Sequence, residues 1–274
     1  MHPSTEKDLT HIGFTRIEPS KEHAELIENY WFINTNNHKS TGIYEHLHAD
    51  GGHGIILNYE HSLSFNGIHI SANSFFDGTN TASQKLGLHG VLNAVGIRFK
   101  PAGAAMYFSF PLKDIKNKVI SLDDTNTPNH SELYDKVKEA HTLGTKVSVI
   151  EHWLSQIRNN KICISNSVLE SLKFINYHRG TQPISLLEEH LGYSKRKIER
   201  LFNEKTGMTA KEYSTNQRLE FARQLIKSNN HSLTDITYQL GYYDQAHFIN
   251  QFKNNIGITP GEYLMKHLNV EIQN

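Results

Sequence analysis

An internal repeat near the C-terminus constrains the fold more than any other feature of this 274-residue chain. The tripeptide Leu-Gly-Tyr occurs at residues 191–193 and again at 240–242, and the same residue types follow each copy at matching spacings. The shared residues are Phe202, Gly207, Thr209 and Tyr213 in the first copy and Phe252, Gly257, Thr259 and Tyr263 in the second. The second copy is longer by one residue in its turn. Because only two copies are present, the repeat indicates a duplicated module and not a solenoid.

Each copy has the pattern of a helix, a glycine turn and a second helix. Gly192 and Gly241 lie where a left-handed residue would end one helix, and Ser194 and Asp244 are of the types that cap the next. Apolar residues recur at helical spacing around both turns. They are Leu186, Leu187, Leu191, Ile198, Leu201 and Phe202 in the first copy and Leu233, Ile236, Leu240, Phe248 and Phe252 in the second. The pattern predicts two helix-turn-helix units, a geometry in which the second helix enters the major groove of DNA.

The second helix of each unit is predicted to read DNA. Lys and Arg bind phosphates and guanine, Gln and Asn match adenine, and apolar side chains contact the thymine methyl group. The predicted DNA-binding residues are Lys195, Arg196, Lys197, Glu199 and Arg200 in the first unit and Gln245, Ala246, Ile249 and Asn250 in the second. A basic helix face alone is more often a solvated surface, but its place after the duplicated turns favours contact with DNA.

Three stretches extend the pattern to a known family. They are Ser194-x-Arg196-x-Ile198-x-Arg200-x-Phe202, then Arg218-Leu219-x-x-Ala222-x-x-Leu225, and finally Gly241-Tyr242-x-Asp244-x-x-x-Phe248-x-x-x-Phe252-Lys253. Over residues 166–266 the chain resembles the DNA-binding domain of the AraC/XylS family of bacterial transcription regulators. Two features depart from the family pattern. Glu188 and Thr237 replace a small Ala where the helices cross, and the second reading helix has no Arg.

The resemblance implies a function for the whole chain. It implies two reading helices on a rigid linker helix, entering successive major grooves about 34 Å apart. It implies a cytoplasmic regulator, most simply an activator, that binds promoter DNA and RNA polymerase and responds to a small-molecule effector of unknown identity. Residues 29–32 and 96–104 resemble a sensor domain found in some of these regulators. No enzymatic activity and no cofactor are expected.

The N-terminal half is predicted to be β-rich. Apolar runs such as residues 54–59 and 92–99 alternate with turn signals at residues 50–52, 66–67, 77–78 and 101–103. We therefore predict an α+β chain. Residues 1–160 would form a barrel- or sandwich-like regulatory domain that becomes helical from about residue 131, and residues 161–274 an all-α domain with two helix-turn-helix units.

A helical stripe lies between the two predicted domains. Val147, Ile150, Leu154 and Ile157 recur at three- and four-residue spacing. Such a stripe either packs within its own domain or forms the seam of a homodimer, and the pattern allows both interpretations. The seam would place dimerisation where an effector signal has to pass.

Histidine and cysteine allow a few alternatives. His46, His48 and His53 have spacings seen in metal sites of cupin barrels, so a metal-binding or enzymatic N-terminal domain is the second hypothesis; no carboxylate completes the set, and histidines in a strand and turn explain the pattern better. A single Cys163 excludes an internal disulfide and is expected to be buried. The formal net charge is zero, and no apolar run reaches the roughly 18 residues of a membrane span. These features agree with a soluble cytoplasmic protein without membrane contact.

Overall fold

The computed structural model describes residues 13–35, 40–60 and 63–272. Within these ranges the N-terminal part is built from short antiparallel strands. The strands are β1 (Thr15–Ile17), β2 (Ile27–Asn34), β3 (Ser40–Leu47), β4 (His53–Asn58), β5 (Leu63–Phe65), β6 (Ile68–His69), β7 (Ser74–Asp77), β8 (Gln84–Gly90), β9 (Asn93–Phe99) and β10 (Val119–Ser121).

The strands form two sheets that face each other. One sheet has the order β1-β2-β9-β4-β7-β10 and the other the order β3-β8-β5-β6. Ile56 of β4 and Phe75 of β7 pack against Leu88 of the smaller sheet in one core. Ile55 and Leu57 alternate with Ile56 along the strand, so they point to the other face, where a second core joins the sheet to helices. This arrangement confirms the predicted β-rich, sandwich-like N-terminal part.

Two helices cover the outer face of the larger sheet, α1 (His130–Glu139) and α2 (Leu143–Ile157). Ile150 and Leu154 of α2 are completely buried in the core that they share with the sheet, and Val147 and Ile157 pack against it. The dimer-seam interpretation of this stripe is therefore wrong, since its side chains are used inside their own chain. The periodicity of the stripe is compatible with packing inside the chain and with packing against a second copy. Only the position of α2 next to the larger sheet decides between the two.

Seven helices follow in residues 166–272. They are α3 (Asn166–Tyr177), α4 (Ile184–Leu191), α5 (Lys195–Thr206), α6 (Ala210–Ser228), α7 (Leu233–Gln239), α8 (Gln245–Ile256) and α9 (Pro260–Ile272). The 19-residue α6 begins with a capping box in which Thr209 and Glu212 bond each other's backbone N–H groups. Tyr213 of α6 belongs to the core of the first unit and Leu219 to that of the second. One helix thus connects both units, as the resemblance implies.

The segment between α2 and α3 contains the predicted boundary near residue 160. Ile162 and Ile164 pack against the N-terminal core, and Ile164 also contacts the core of the first helix-turn-helix unit. Cys163 is exposed, contrary to expectation, because it alternates with these two inward-facing residues. None of the helices in the described ranges is both long enough and apolar enough to cross a membrane.

Candidate DNA-binding surface

Both predicted helix-turn-helix units are present. In the first, α4 ends at Gly192, which has a left-handed backbone with φ of 65° and donates its N–H to the carbonyl of Glu188 at 2.9 Å. In the second, Gly241 takes the same role with φ of 74°. A residue with a Cβ rarely adopts this conformation. The two glycines therefore set the sharp turn that places α5 and α8 after their partner helices.

The reading helices begin in different ways. Asp244 caps α8, because its Oδ1 accepts a hydrogen bond from the backbone N–H of His247 at 2.7 Å. Ser194 stands at the equivalent position of α5 with an extended backbone, but among the described residues its hydroxyl accepts no capping bond. The first turn of α5 therefore keeps backbone N–H groups that an anion such as a phosphate can use.

The crossings of the paired helices tolerate the two departures from the family pattern. Thr237 is buried, and its Oγ1 donates to the carbonyl of Leu233 at 2.7 Å, so the hydroxyl has a partner inside its own helix. Glu188 is half-buried. Beneath the reading helices, Phe202 fills the core of the first unit, and Phe248 and Phe252 fill that of the second.

The surface of α5 that faces away from this core is cationic. Lys195, Arg196, Lys197 and Arg200 are all exposed. Arg200 pairs with Glu204 at 3.0 Å, and Lys197 Nζ lies 3.4 Å from the centre of the Tyr193 ring. A surface ion pair of this kind contributes little to stability, so Arg200 can exchange its partner for DNA at low cost.

Glu199 does not share this exposed face. It is half-buried, and its Oε2 accepts a hydrogen bond from the backbone N–H of Ala210 at 2.8 Å, at the start of α6. The expectation that Glu199 faces DNA together with Arg196 and Arg200 is therefore not met by the geometry. At 3.6 residues per turn, position 199 is rotated toward the side of Phe202. Its carboxylate fixes α5 to the linker helix.

The surface of α8 is polar and uncharged at the predicted positions. Gln245, Ala246 and Asn250 are exposed, whereas Ile249 is half-buried and packs on the core of the second unit. Ile249 repeats the inward position of Glu199. His247, which the sequence reasoning did not select, is exposed on the outer face of α8. The helical position of His247 relative to the buried Phe248 and Phe252 places it on the exposed face, so the sequence could have identified it.

Comparisons with known proteins agree with this geometry. Residues 187–266 match the family model "Helix-turn-helix domain". Over 72 residues the chain is 33% identical to the HTH-type transcriptional activator RhaS of Salmonella arizonae. Over this region the chain is similar to the DNA-binding domains of the AraC/XylS family, as the sequence motifs imply. The match spans only 26% of the length of RhaS and 26% of this chain.

Two solved structures are also similar to this chain, and a second family model matches its N-terminal part. ToxT from Vibrio cholerae is 14% identical, with 92% of this chain and 96% of that chain covered and a TM-score of 0.40. The C-terminal domain of the response regulator yesN from Fusobacterium nucleatum is 27% identical, with 36% and 99% covered and a TM-score of 0.34. Residues 15–121 match a "Domain of unknown function (DUF6597)", which covers the strands of the N-terminal part.

A short segment of the N-terminal part contacts both units of the helix-turn-helix domain. This strap, residues 79–83, follows β7. The Oγ1 of Thr79 donates to the carbonyl of Thr206 at the end of α5 at 2.7 Å. Asn216 of α6 donates to the Asn80 carbonyl at 3.2 Å. Because these contacts lie at the C-terminal end of α5 and on the linker helix, the strap does not cover Arg196 or its neighbours.

The strap reaches the second unit through Asn255. The side-chain Nδ2 of Asn255, near the end of α8, donates to the carbonyl of Thr81 at 2.7 Å. The backbone carbonyl of Asn255 accepts a hydrogen bond from the backbone N–H of Ser83 at 2.6 Å. Asn255 thus makes a two-bond bridge to the strap. Both reading helices are held at their C-terminal ends by the same five residues of the N-terminal part.

Apolar and ionic contacts extend this interface. Ala102 belongs to the core of the first unit, and Lys116 pairs with Glu212 of α6 at 3.0 Å. Gly51 approaches the ring of Tyr213 so closely that a Cβ at Gly51 would lie 2.6 Å from two ring atoms. The helix-turn-helix domain therefore does not bury the core of its first unit alone, since loops of the N-terminal part complete that core.

The three histidines weighed as metal ligands lie in different surroundings. His48 Nδ1 bonds Ser83 Oγ at 2.7 Å, and His53 Nε2 bonds Thr79 Oγ1 at 2.5 Å. His46 lies in β3, and its side chain is outside the part described. Across residues 13–35, 40–60 and 63–272, no three His, Cys, Asp or Glu side chains come together as a group that could hold a metal ion. The metal-enzyme hypothesis therefore gains no support from this geometry.

The hydrogen bonds of Thr79 fix the proton on His53. A threonine hydroxyl has one hydrogen to donate, and Thr79 gives it to Thr206. His53 must then donate from Nε2, which leaves Nδ1 as a buried acceptor for which the described residues supply no hydrogen-bond partner. Burial first, and then the positive charge of Arg98, lowers the pKa of His53 to about 3. His53 is thus a neutral donor directly behind the strap.

Proposed function

We propose that this chain is a promoter-binding transcriptional activator whose N-terminal part responds to an effector. The observation that carries the proposal is the pair of equivalent reading helices, α5 and α8, held on one linker helix with their outer faces exposed. This arrangement suits two successive major grooves on one face of the duplex. The similarity of this region to the HTH-type transcriptional activator RhaS supports the same conclusion.

The two reading helices would contribute differently to binding. Lys195, Arg196, Lys197 and Arg200 supply cations that neutralise phosphates or bind guanine. Gln245 and Asn250 can bond adenine, and Ala246 can contact a thymine methyl group. Salt-dependent affinity would therefore come mainly from the first unit, and much of the second unit's contribution from uncharged contacts.

The N-terminal part would regulate this binding through the strap. An effector that changes the sandwich or the loop after β7 would move the hydrogen bonds at Thr206 and Asn255 and so change how the reading helices are held. RNA polymerase is the partner that activation requires.

A genome-wide footprint of the full chain, followed by binding assays on the recovered sites, tests the proposal. With about 5 phosphate contacts, the logarithm of the binding constant should fall with the logarithm of salt concentration with a slope of about −4 to −5. A triple Ala variant at Arg196, Lys197 and Arg200 should lose binding, and Lys138→Ala, a change on the exposed face of α1, serves as the matched control. A folded chain that recovers no sites and ignores duplex DNA at low salt would contradict the proposal.

A further inference from the structure

The second unit has an imidazole side chain where the first has one of its lysines, and it has an additional tyrosine in its turn. The register of the repeat after the turn places His247 at the position of Lys197, and both are exposed on the outer face of their reading helix. In the first unit, Lys197 Nζ lies over the ring of Tyr193. In the second, the His247 ring meets the ring of Tyr242 edge to face, with centroids 5.2 Å apart.

This equivalence shows that the position is built in the same way twice. In each unit the tyrosine after the turn glycine supports the third residue of the reading helix. Tyr242 is itself fixed, because it is only 4% exposed and its hydroxyl donates to Gln251, one turn beyond His247 along α8. His247 is therefore presented to solvent from a rigid support.

Tyr243 is the residue by which the second turn exceeds the first. It lies between the buried Tyr242 and the N-cap Asp244, and 90% of its surface is exposed. A tyrosine that contributes almost no buried area contributes little to folding. Its side chain is exposed beside the first turn of α8, and the N-terminal end of the second helix is the part of a helix-turn-helix unit that contacts DNA.

We propose that Tyr243 and His247 bind the sugar–phosphate backbone of DNA and hold the second reading helix in its groove. This inference rests on the proposed DNA-binding function. The Tyr243 hydroxyl would donate a hydrogen bond to a phosphate oxygen, and a ring N–H of His247 would donate to the next phosphate. Contacts to the backbone orient a protein on the duplex and carry no sequence information. They would offset the lack of Arg on α8.

The test uses full-length variants on a site bound by the wild-type chain and on versions of that site with single base changes. Tyr243→Ala and His247→Ala should each weaken binding about 3- to 10-fold, the range for one hydrogen bond, and by the same factor on every site version. Tyr243→Phe should weaken binding by most of the same factor, because it removes only the hydroxyl, which donates the hydrogen bond. The salt slope should stay unchanged for Tyr243→Phe, since no cation is lost.

His247→Lys gives an independent reading of the same contact. A lysine here repeats the first unit, so affinity should rise at low salt and the salt slope should steepen by about 0.9 for one added phosphate contact. Tyr44→Ala and His141→Ala are the matched controls, because both residues are exposed in the N-terminal part. Unchanged melting temperatures would show that the variants fold.

The outcomes separate this inference from the function on which it rests. If the wild-type chain binds no duplex, the proposed function fails. If the wild-type chain binds and the Ala variants bind within 2-fold of it, the function stands and this inference is overturned. A loss confined to certain base changes would also overturn it, since that result shows base reading and not backbone contact.

Discussion

Two buried groups behind the strap should give the chain opposite and separable responses to acid. His53 and Asp77 lie on neighbouring strands, and they are 0% and 5% exposed. Burial first, followed by Arg98, lowers the pKa of His53 to about 3. Burial also raises the pKa of Asp77 to about 6, against the opposing effects of Arg98 and Asn80.

The direction in which each group changes stability depends on whether the folded or the unfolded chain binds the proton. Between about pH 6.5 and 3 the unfolded chain protonates His53 and the folded chain does not, so stability falls as the solution becomes more acidic. Between about pH 6 and 3.8 the folded chain protonates Asp77 and the unfolded chain does not, so this group adds stability as the pH falls. Over their common range the two contributions oppose each other.

The magnitude follows from the pH interval. Each full proton difference changes the free energy of unfolding by about 1.4 kcal/mol per pH unit. From pH 6.0 to 4.5, His53 should therefore lower the free energy of unfolding by about 2 kcal/mol. Asp77 should raise it by about 2 kcal/mol over the same interval. In the wild-type chain these two contributions nearly cancel.

Single substitutions should reveal each contribution. Asp77→Asn removes the stabilising group, so this variant should lose about 2 kcal/mol more than the wild type between pH 6.0 and 4.5. His53→Gln keeps a donor for Thr79 and removes the titration, so this variant should lose about 2 kcal/mol less. Urea unfolding at four pH values for the wild type, both variants and the double variant measures these differences. Four parallel curves, agreeing within about 0.5 kcal/mol, would refute the reasoning.

Three further changes probe the reading face, the covered stripe and the interface. Arg196→Ala and Arg200→Ala should each weaken promoter binding by about 1–3 kcal/mol, and Gln245→Ala and Asn250→Ala by less; equal losses in a titration assay would contradict the asymmetry of the two units. Leu154→Ala should lower the free energy of unfolding by about 2–5 kcal/mol, with sedimentation unchanged; a folded chain of normal melting temperature but altered assembly would restore the seam. Gly51→Ala should destabilise the contact with Tyr213 by about 1–3 kcal/mol, because Tyr213 is held by Asn176 at 2.7 Å and cannot move aside; differential proteolysis of the two parts would measure the loosening, and unchanged cleavage would argue against this packing.

The helix-turn-helix units could be predicted because their determinants are local. Turn glycines such as Gly192 and helical spacings such as Ile198 to Phe202 lie within a few residues of each other, so the sequence displays them directly. The outward position of Arg196 follows from the same spacing. Glu199 was misplaced because its partner, the N–H of Ala210, appears only once α5 and α6 fold against each other.

Contacts between distant parts of the chain could not be predicted in this way. Nothing near Thr79 or Ser83 in the sequence indicates that helix ends more than a hundred residues away will bond them. The stripe on α2 shows the same limit. The spacing of Leu154 and its apolar neighbours is the same in a dimer seam and in a helix that packs within its own chain. Which surface covers an apolar face depends on the sheet order, and the strand pattern does not show that order.

The attachment of both reading helices to one strap also has a consequence for the N-terminal part. A coupling free energy between two sites is reciprocal, so an effector that changes promoter affinity by some factor has its own affinity changed by the same factor when DNA is bound. Molecules on a promoter and molecules free in solution would then respond at different effector concentrations. For the N-terminal part, the promoter would then act as an allosteric ligand.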